Sequence, residues 1–436
     1  MSIQQQVEKT IVSEENRSTG VKQAVFGAAI GNLIEWFDYA SYGYLATIIA
    51  VVFFAPGNEK VALLGTFGVF AVSFIARPIG GLVWGHYGDK LGRKRILVLT
   101  LIMMSLATFS IGLIPSYATI GIAAPLLLLL CRIVQGFSAS GEYAGASLFI
   151  AEYAPNSQRG LLVSMVPAST AAGLLLGALT AVLLEYNLTQ DALHSWGWRI
   201  PFLISGPLGL IALYIRMKLE DTPVFTEKEH EETQAPVFKS VRQNRKQILV
   251  AFGVICLNAV GFYTILSYMP TYLVKELGFD SMKAIFTTII SLTTYVILLP
   301  FVGSLADRVG RKPVLIGASV LFILFTYPAF ALLSQGGMYA VLAQILLGAI
   351  LAGNDGVLAT FLSEMFPTSV RYTCFGLSFN MGNAIFGGTA PFIATFLILQ
   401  TDNTFAPAFY LMAAAFIAFI ALLRTKETAN TSMHQE

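Results

Sequence analysis

The sequence predicts an all-α polytopic membrane protein, with twelve transmembrane helices in two pseudo-symmetric six-helix bundles. Three observations predict it. Of 436 residues, 56% are hydrophobic and only 12% charged, against roughly 25% charged in soluble domains. Apolar runs long enough to span a bilayer, about 20 residues each, recur through the chain. They are continuous rather than alternating, which favours helices over a barrel. Finally, the string Gly85-His86-Tyr87-Gly88-Asp89-Lys90-Leu91-Gly92-Arg93-Lys94 returns as Gly303-Ser304-Leu305-Ala306-Asp307-Arg308-Val309-Gly310-Arg311-Lys312, shared positions lying 218 apart. A second pair, Ala151 to Arg159 and Ser363 to Arg371, repeats at an offset of 212. Parallel repeats of this kind build transporters whose site lies between the halves near the bilayer midplane.

The elements follow in order. Residues 1–21 form a polar tail without an apolar h-region, so no cleavable signal is expected and the first apolar run starts insertion. Spans are expected over 22–54, 62–84, 96–114, 121–150, 160–186 and 198–218, making an N-terminal bundle of 22–218. The longest polar stretch, 219–246, reads as a linker. Spans over 247–274, 281–302, 314–334, 338–362, 372–400 and 404–424 make a C-terminal bundle of 247–424, followed by a tail of 425–436. Lys9, Arg17, Lys22, Lys90, Arg93, Lys94, Arg95, Arg159, the linker cations, Arg308, Arg311, Lys312, Arg371 and Lys426 fall on one side; Lys60, Arg199, Lys275 and Lys283 fall on the other. The positive-inside rule therefore puts both termini and the linker in the cytoplasm. Cys131, Cys256 and Cys374 sit in apolar runs without disulfide or zinc spacing. The four His are scattered and no Walker A string is present, which excludes a His metal cluster and direct ATP drive.

The two charged strings resemble the cytoplasmic gating motif of the major facilitator superfamily, and Arg132-Ile133-Val134-Gln135-Gly136 resembles its fourth-helix motif. More narrowly, Gly31-Asn32-Leu33-Ile34-Glu35-Trp36-Phe37-Asp38-Tyr39 is similar to the first-helix signature of the metabolite:proton symporter family. Arg77-Pro78-Ile79-Gly80-Gly81, Gln135-Gly136-Phe137-Ser138, Gly141-Glu142-Tyr143 and Trp196 to Phe202 agree with it. Within that family the chain looks most like proline/betaine transporters, including the closing Lys426-Glu427-Thr428-Ala429-Asn430; the intramembrane Asp355 departs from them. The resemblance implies the major facilitator fold. The fifth span lacks the Gly-Pro-Gly-Gly-type string of the superfamily's drug/proton antiporters, which tilts the direction toward uptake.

Ionisable residues inside spans are costly and relay protons, pair, or line cavities. Glu35 and Asp38 lie three apart on one helix, with Tyr42 a turn beyond, so all three share a face. With Arg132 they are the candidate proton-coupling set; the alternative is that an acid merely locks helices through a fixed ion pair. Arg holds carboxylates in a planar fork, so Arg77 is a candidate substrate ligand, or else an anchor for the second helix. Glu142 and Asp355 occupy matching regions of the two halves and are expected to face the cavity. Trp36, Tyr39, Tyr42, Tyr143 and Tyr263 offer ring faces to a cationic group, although Trp and Tyr also gather at membrane interfaces. In the charged loops, Asp89 with Arg93, Asp307 with Arg311, Glu152 with Arg159, and Glu364 with Arg371 are candidates for a cytoplasmic gate; a purely topogenic role needs only the cations.

The resulting expectation is proton-coupled uptake of a proline- or glycine betaine-like osmolyte by rocking-bundle alternating access. An organic acid (dicarboxylate, citrate-like or shikimate-like) and proton-driven efflux are the alternatives. No cofactor beyond the coupling proton is expected, and no nucleic-acid partner. The protein is expected to work as a monomer in a bacterial-type cytoplasmic membrane. An enzyme reading lacks a nucleophile–base pair or metal cluster, and a receptor reading lacks a sensing domain.

Overall fold

Apolar side chains cover the flanks of the molecule: Phe26, Leu106, Leu183, Leu210, Phe301, Phe392 and Leu399 are all exposed. A surface of that kind suits lipid, where each segment must satisfy its own backbone hydrogen bonds by forming a helix. The computed structural model describes residues 3–55, 59–218, 241–431 and 433. Most of the expected linker, 219–240, lies outside them.

Among the described residues, twelve principal helices follow one another. They are α1 (Ile3–Tyr44), α2 (Glu59–Leu91), α3 (Arg93–Leu113), α4 (Ala123–Tyr153), α5 (Met165–Asn187), α6 (Ile200–Met217), α7 (Arg245–Phe262), α8 (Ser281–Val309), α9 (Arg311–Leu333), α10 (Gly337–Met365), α11 (Arg371–Gly382) and α12 (Ala406–Leu423). A short helix, Ala46–Phe53, continues α1 after a 71° bend. A one-turn helix, Arg159–Val163, leads into α5. The α7 rod continues through a π-helical stretch, Tyr263–Tyr268, into Met269–Lys275. The α11 rod does the same through Asn383–Gly387 into Ala390–Thr401. Ten of these rods are long and apolar enough to cross a bilayer, and the bent first pair makes eleven. The remaining helix, α2, has 33 residues, about 50 Å at 1.5 Å each. The expected all-α, twelve-helix membrane fold is the one found.

Two boundaries differ from the sequence reading. The polar tail is already helical from Ile3 and runs unbroken into the first span. The charged strings are helix ends rather than loops: α2 reaches Leu91 and α3 starts at Arg93, while α8 reaches Val309 and α9 starts at Arg311. A single glycine makes each break, Gly92 with φ 96° and Gly310 with φ 108°. Such dihedrals suit a residue without Cβ, so one glycine turns the chain where a loop would need several residues.

Packing repeats from half to half. In the first half α1 packs on α5 and α6, α2 on α4, and α3 on α4 and α6; in the second α7 packs on α11 and α12, α8 on α10, and α9 on α10 and α12. Between halves, α2 lies along α11 and α8 along α5, an exchange that the same two-fold relation requires. At the end carrying the charged strings, here called the charged face, one apolar cluster joins Trp84, Tyr143 and Phe149 to Val357, Tyr372 and Phe375 across the halves. At the opposite face the cluster of Tyr42, Phe53, Ile111, Trp198 and Phe202 contains no residue of the second half. The halves are thus joined at the charged face and again around Trp36, Tyr39 and Phe74, which share a buried cluster with Phe262 and Tyr263 of the second half.

Candidate functional site

The site assembles from the middle of α1. Helical spacing sends Glu35 and Asp38 to neighbouring arginines. Arg132 on α4, fully buried, donates from Nη1 to Asp38 Oδ2 at 3.0 Å, and Gln135 Nε2 donates to the same oxygen at 2.8 Å. Tyr42, one turn along α1, lies under the Arg132 guanidinium at 3.7 Å and donates its hydroxyl to the Thr66 carbonyl at 2.9 Å. Asp38 Oδ1 and the Nε and Nη2 of Arg132 have no hydrogen-bond partner. This buried pair therefore keeps acceptor and donor capacity in reserve. An uncompensated polar atom away from water costs on the order of 1–3 kcal/mol, so the arrangement is poised to accept another group or proton.

Glu35 turns to α2, where Arg77 Nη2 stands 3.5 Å from its Oε1. Arg77 is 3% exposed and framed by rings, 4.8 Å from the centroid of Phe74, 4.9 Å from Tyr39 and 5.9 Å from Trp36. Those rings meet the second half: Trp36 packs on Phe262 at 5.2 Å and Phe74 on Tyr263 at 5.8 Å. Tyr263 opens the π-helical stretch of α7, a local widening often found at functional sites. Nε of Arg77 has no hydrogen-bond partner, nor has the indole nitrogen of Trp36 or the hydroxyl of Tyr263. A guanidinium edge with free donors, walled by aromatic faces between two domains, can take a carboxylate and hold an adjacent cationic group.

The two other membrane acids are placed differently. Glu142 is gripped by Arg216 of α6, through Nη1 at 2.9 Å and through Nη2. Arg216 also donates to the carbonyls of Gly27, Ala28 and Leu97, so this pair ties α1, α3, α4 and α6 within the first half. Asp355 instead sits where the halves meet. It accepts from Asn258 at 2.9 Å, from Tyr143 of the first half at 3.4 Å, and from Tyr295. Tyr143 also stacks face to face on Phe379 of α11, with centroids 4.3 Å apart.

At the charged face each aspartate caps a helix of the other half. Asp89 accepts from the backbone nitrogens of Tyr372 (3.1 Å) and Thr373 (2.9 Å) at the start of α11. Asp307 accepts from Gly160 (2.8 Å) and Leu161 (2.9 Å) just before α5. A carboxylate there meets both free N–H groups and the positive end of the helix dipole. The ion pairs also cross over. Arg159 pairs with Glu364 of the second half at 2.9 Å, and Arg371 approaches Glu152 of the first at 3.7 Å. Arg93 holds Asp89 and Glu152 at 3.2 and 3.3 Å, and Arg311 holds Asp307 and Glu364 at 2.8 and 3.2 Å.

Sequence reasoning paired Glu152 with Arg159 and Glu364 with Arg371 because they are neighbours in the chain; the structure exchanges them between halves. It also missed Arg216, Asn258, Tyr295 and Tyr372. A lone arginine near the end of an apolar span, as Arg216 is, was the available signal. Arg199, counted above among the few cations of the opposite face, donates to the Gly112 and Ile114 carbonyls at 2.8 Å.

A family model described as sugar (and other) transporter matches residues 24–240 and again 226–435. The proline/betaine transporter of Salmonella typhimurium is 39% identical over 422 residues, 94% of this chain and 84% of that one. The glycine betaine/proline/ectoine/pipecolic acid transporter OusA of Dickeya dadantii is 38% identical, with coverages of 94% and 84%. Among solved structures, the proton:xylose symporter XylE bound to 6-bromo-6-deoxy-D-glucose superposes with a TM-score of 0.80 at 20% identity, covering 96% of this chain and 98% of that one. The chain belongs to the sugar (and other) transporter family, within the major facilitator superfamily, and is a membrane transporter rather than an enzyme.

Proposed function

We propose that this transporter takes up a small zwitterion of the proline or glycine betaine type together with a proton, by alternating access between its two halves. The observation that carries the reading is Arg77, buried in an aromatic frame between the halves with Nε unsatisfied. A substrate carboxylate would take the guanidinium edge, and its ammonium would lie against the faces of Trp36, Tyr39 and Tyr263. Relatives named for proline and betaine transport, at 38–39% identity, agree with that chemistry. Asp38 and Arg132 form the coupling pair: a proton on Asp38 frees Arg132, and its loss restores the ion pair. Glu35 reports substrate at Arg77, because a bound carboxylate competes for the same guanidinium. Each proton moving inward down 100 mV contributes about 2.3 kcal/mol, roughly a 50-fold accumulation.

In this reading the charged face is cytoplasmic, with both termini on that side of a bacterial-type cytoplasmic membrane, and one chain is the working unit. The salt-bridged caps of Asp89 and Asp307 close the inner gate, and the molecule is held shut toward the cytoplasm. Arg77 would also hold the carboxylate of an organic acid, so the assay must offer both classes. Reconstituted uptake of labelled betaine, proline and several dicarboxylates under an imposed pH gradient tests the proposal. Gradient-driven accumulation of a zwitterion is the expected result. Accumulation of dicarboxylates alone would replace the substrate class, and flux indifferent to pH and voltage would end the coupling reading.

A further inference from the structure

Counting charge through the membrane interior leaves one acid over. Glu35 has Arg77, Asp38 has Arg132, Glu142 has Arg216, Glu152 has Arg93 and Arg371, and Glu364 has Arg159 and Arg311. Among the described residues, Asp355 is the buried acid with no Lys or Arg nitrogen within 4.0 Å. It is 4% exposed, and its three partners, Asn258, Tyr143 and Tyr295, are all neutral. Tyr143 and Tyr295 are the titratable groups bonded to it, and among the described residues no ion pair reaches it from the helices packed on α10.

A lone carboxylate in a dry membrane interior needs a compensating positive charge. The surroundings select which one. Asn258 Nδ2 and the two hydroxyls present hydrogens to the carboxylate, whereas a metal ion or a substrate ammonium needs lone pairs or space there. A proton needs neither. The Tyr295 hydroxyl can accept as readily as it donates, so its bond to Asp355 survives protonation with the roles reversed.

Resting on the proton-symport reading above, we infer that Asp355 is a second proton-carrying site, in the C-terminal half, separate from Asp38. Tyr143 links it to the movement of the halves. It reaches Asp355 from α4 while the charged face is closed, and parting α4 from α10 removes that donor and admits water. Hydration then stabilises the carboxylate, and the proton leaves toward the side that has opened.

The test is the proton-to-substrate ratio, read in proteoliposomes from the voltage at which net flux reverses against a fixed substrate gradient. D355N should carry one proton fewer per substrate than the wild type, and D355E should match the wild type. A wild-type ratio in D355N overturns the inference, as does altered substrate choice with the ratio unchanged. Should D355N not insert, Asn258→Ala carries the test. Losing a donor that favours the charged form moves the alkaline limb of transport to higher pH, by about one unit; an unmoved limb overturns the inference. No proton movement in the wild type would instead remove the symport reading itself, which keeps the two failures distinct.

Discussion

The reserve hydrogen-bonding capacity of Asp38 and Arg132 sets this ion pair apart from that of Glu142 and Arg216. Glu142 and Arg216 share two contacts, and Arg216 spends its remaining donors on backbone carbonyls. Asp38 and Arg132 share one contact of 3.0 Å and leave atoms on both sides unpartnered. In D38N the side chain is permanently neutral, so the proton carried by Asp38 is lost and the accumulation ratio should fall, while substrate exchange persists. Accumulation at the wild-type level would reduce the pair to a lock between α1 and α4. Arg77 invites a different substitution. R77K keeps the charge but loses the planar fork and its stacking on rings. Substrate affinity should fall roughly 10–100-fold, the range for losing a charge-assisted contact, with proton movement intact. Equal affinity in R77K would show that Arg77 anchors α2 and does not touch substrate.

At the scale of elements, the halves meet through residues too small to keep them apart. Gly160 and Gly303 face each other: a Cβ on either would come 2.5 Å from the other's carbonyl oxygen. On the symmetric seam, a Cβ on Gly85 would meet the Thr373 backbone at 2.6 Å. Backbone cannot yield as a flexible side chain does, so G303A should weaken closure by about 1–3 kcal/mol, a shift of roughly 5–150-fold toward the open state. A cysteine introduced at the charged face should then react faster with a thiol reagent in G303A than in the wild type, and an unchanged rate would contradict close apposition. The spans themselves were readable because a bilayer demands long apolar helices whatever the tertiary detail. The helix-end nature of the charged strings was not. Polar composition reads as a loop, and only the positive φ of Gly92 and Gly310 compresses the turn to one residue. The caps made by Asp89 and Asp307 were hidden for another reason: their partners are backbone nitrogens of the other half, which carry no sequence mark.

Over the whole molecule, two-fold repetition explains why so much of the site could be anticipated and where that stopped. Repeated strings at fixed offsets announce two equivalent halves, so what closes one seam closes the other. Which partner each charge selects depends on how the halves dock. Asp355 shows the limit: the repeat offset of 212 makes Tyr143 its counterpart in the first half, yet nothing in either string foretells that the two side chains meet. The docking also decides how the closed state responds to its medium. Arg159, Glu364 and Arg311 are all buried, and Thr428 donates to Glu364 at 2.9 Å. Exposed pairs are weakened by added salt, whereas buried ones are screened much less. Distances between spin labels on the charged face should therefore report the same closed fraction in dilute and in molar salt. E364Q should open the face, because it leaves Arg159 without its carboxylate and Arg311 with Asp307 alone, at a cost of about 3–5 kcal/mol. A closed fraction that falls steadily with salt in the wild type would mean that water reaches these pairs, and that apolar packing around Tyr143, Phe375 and Phe379 holds the halves together instead.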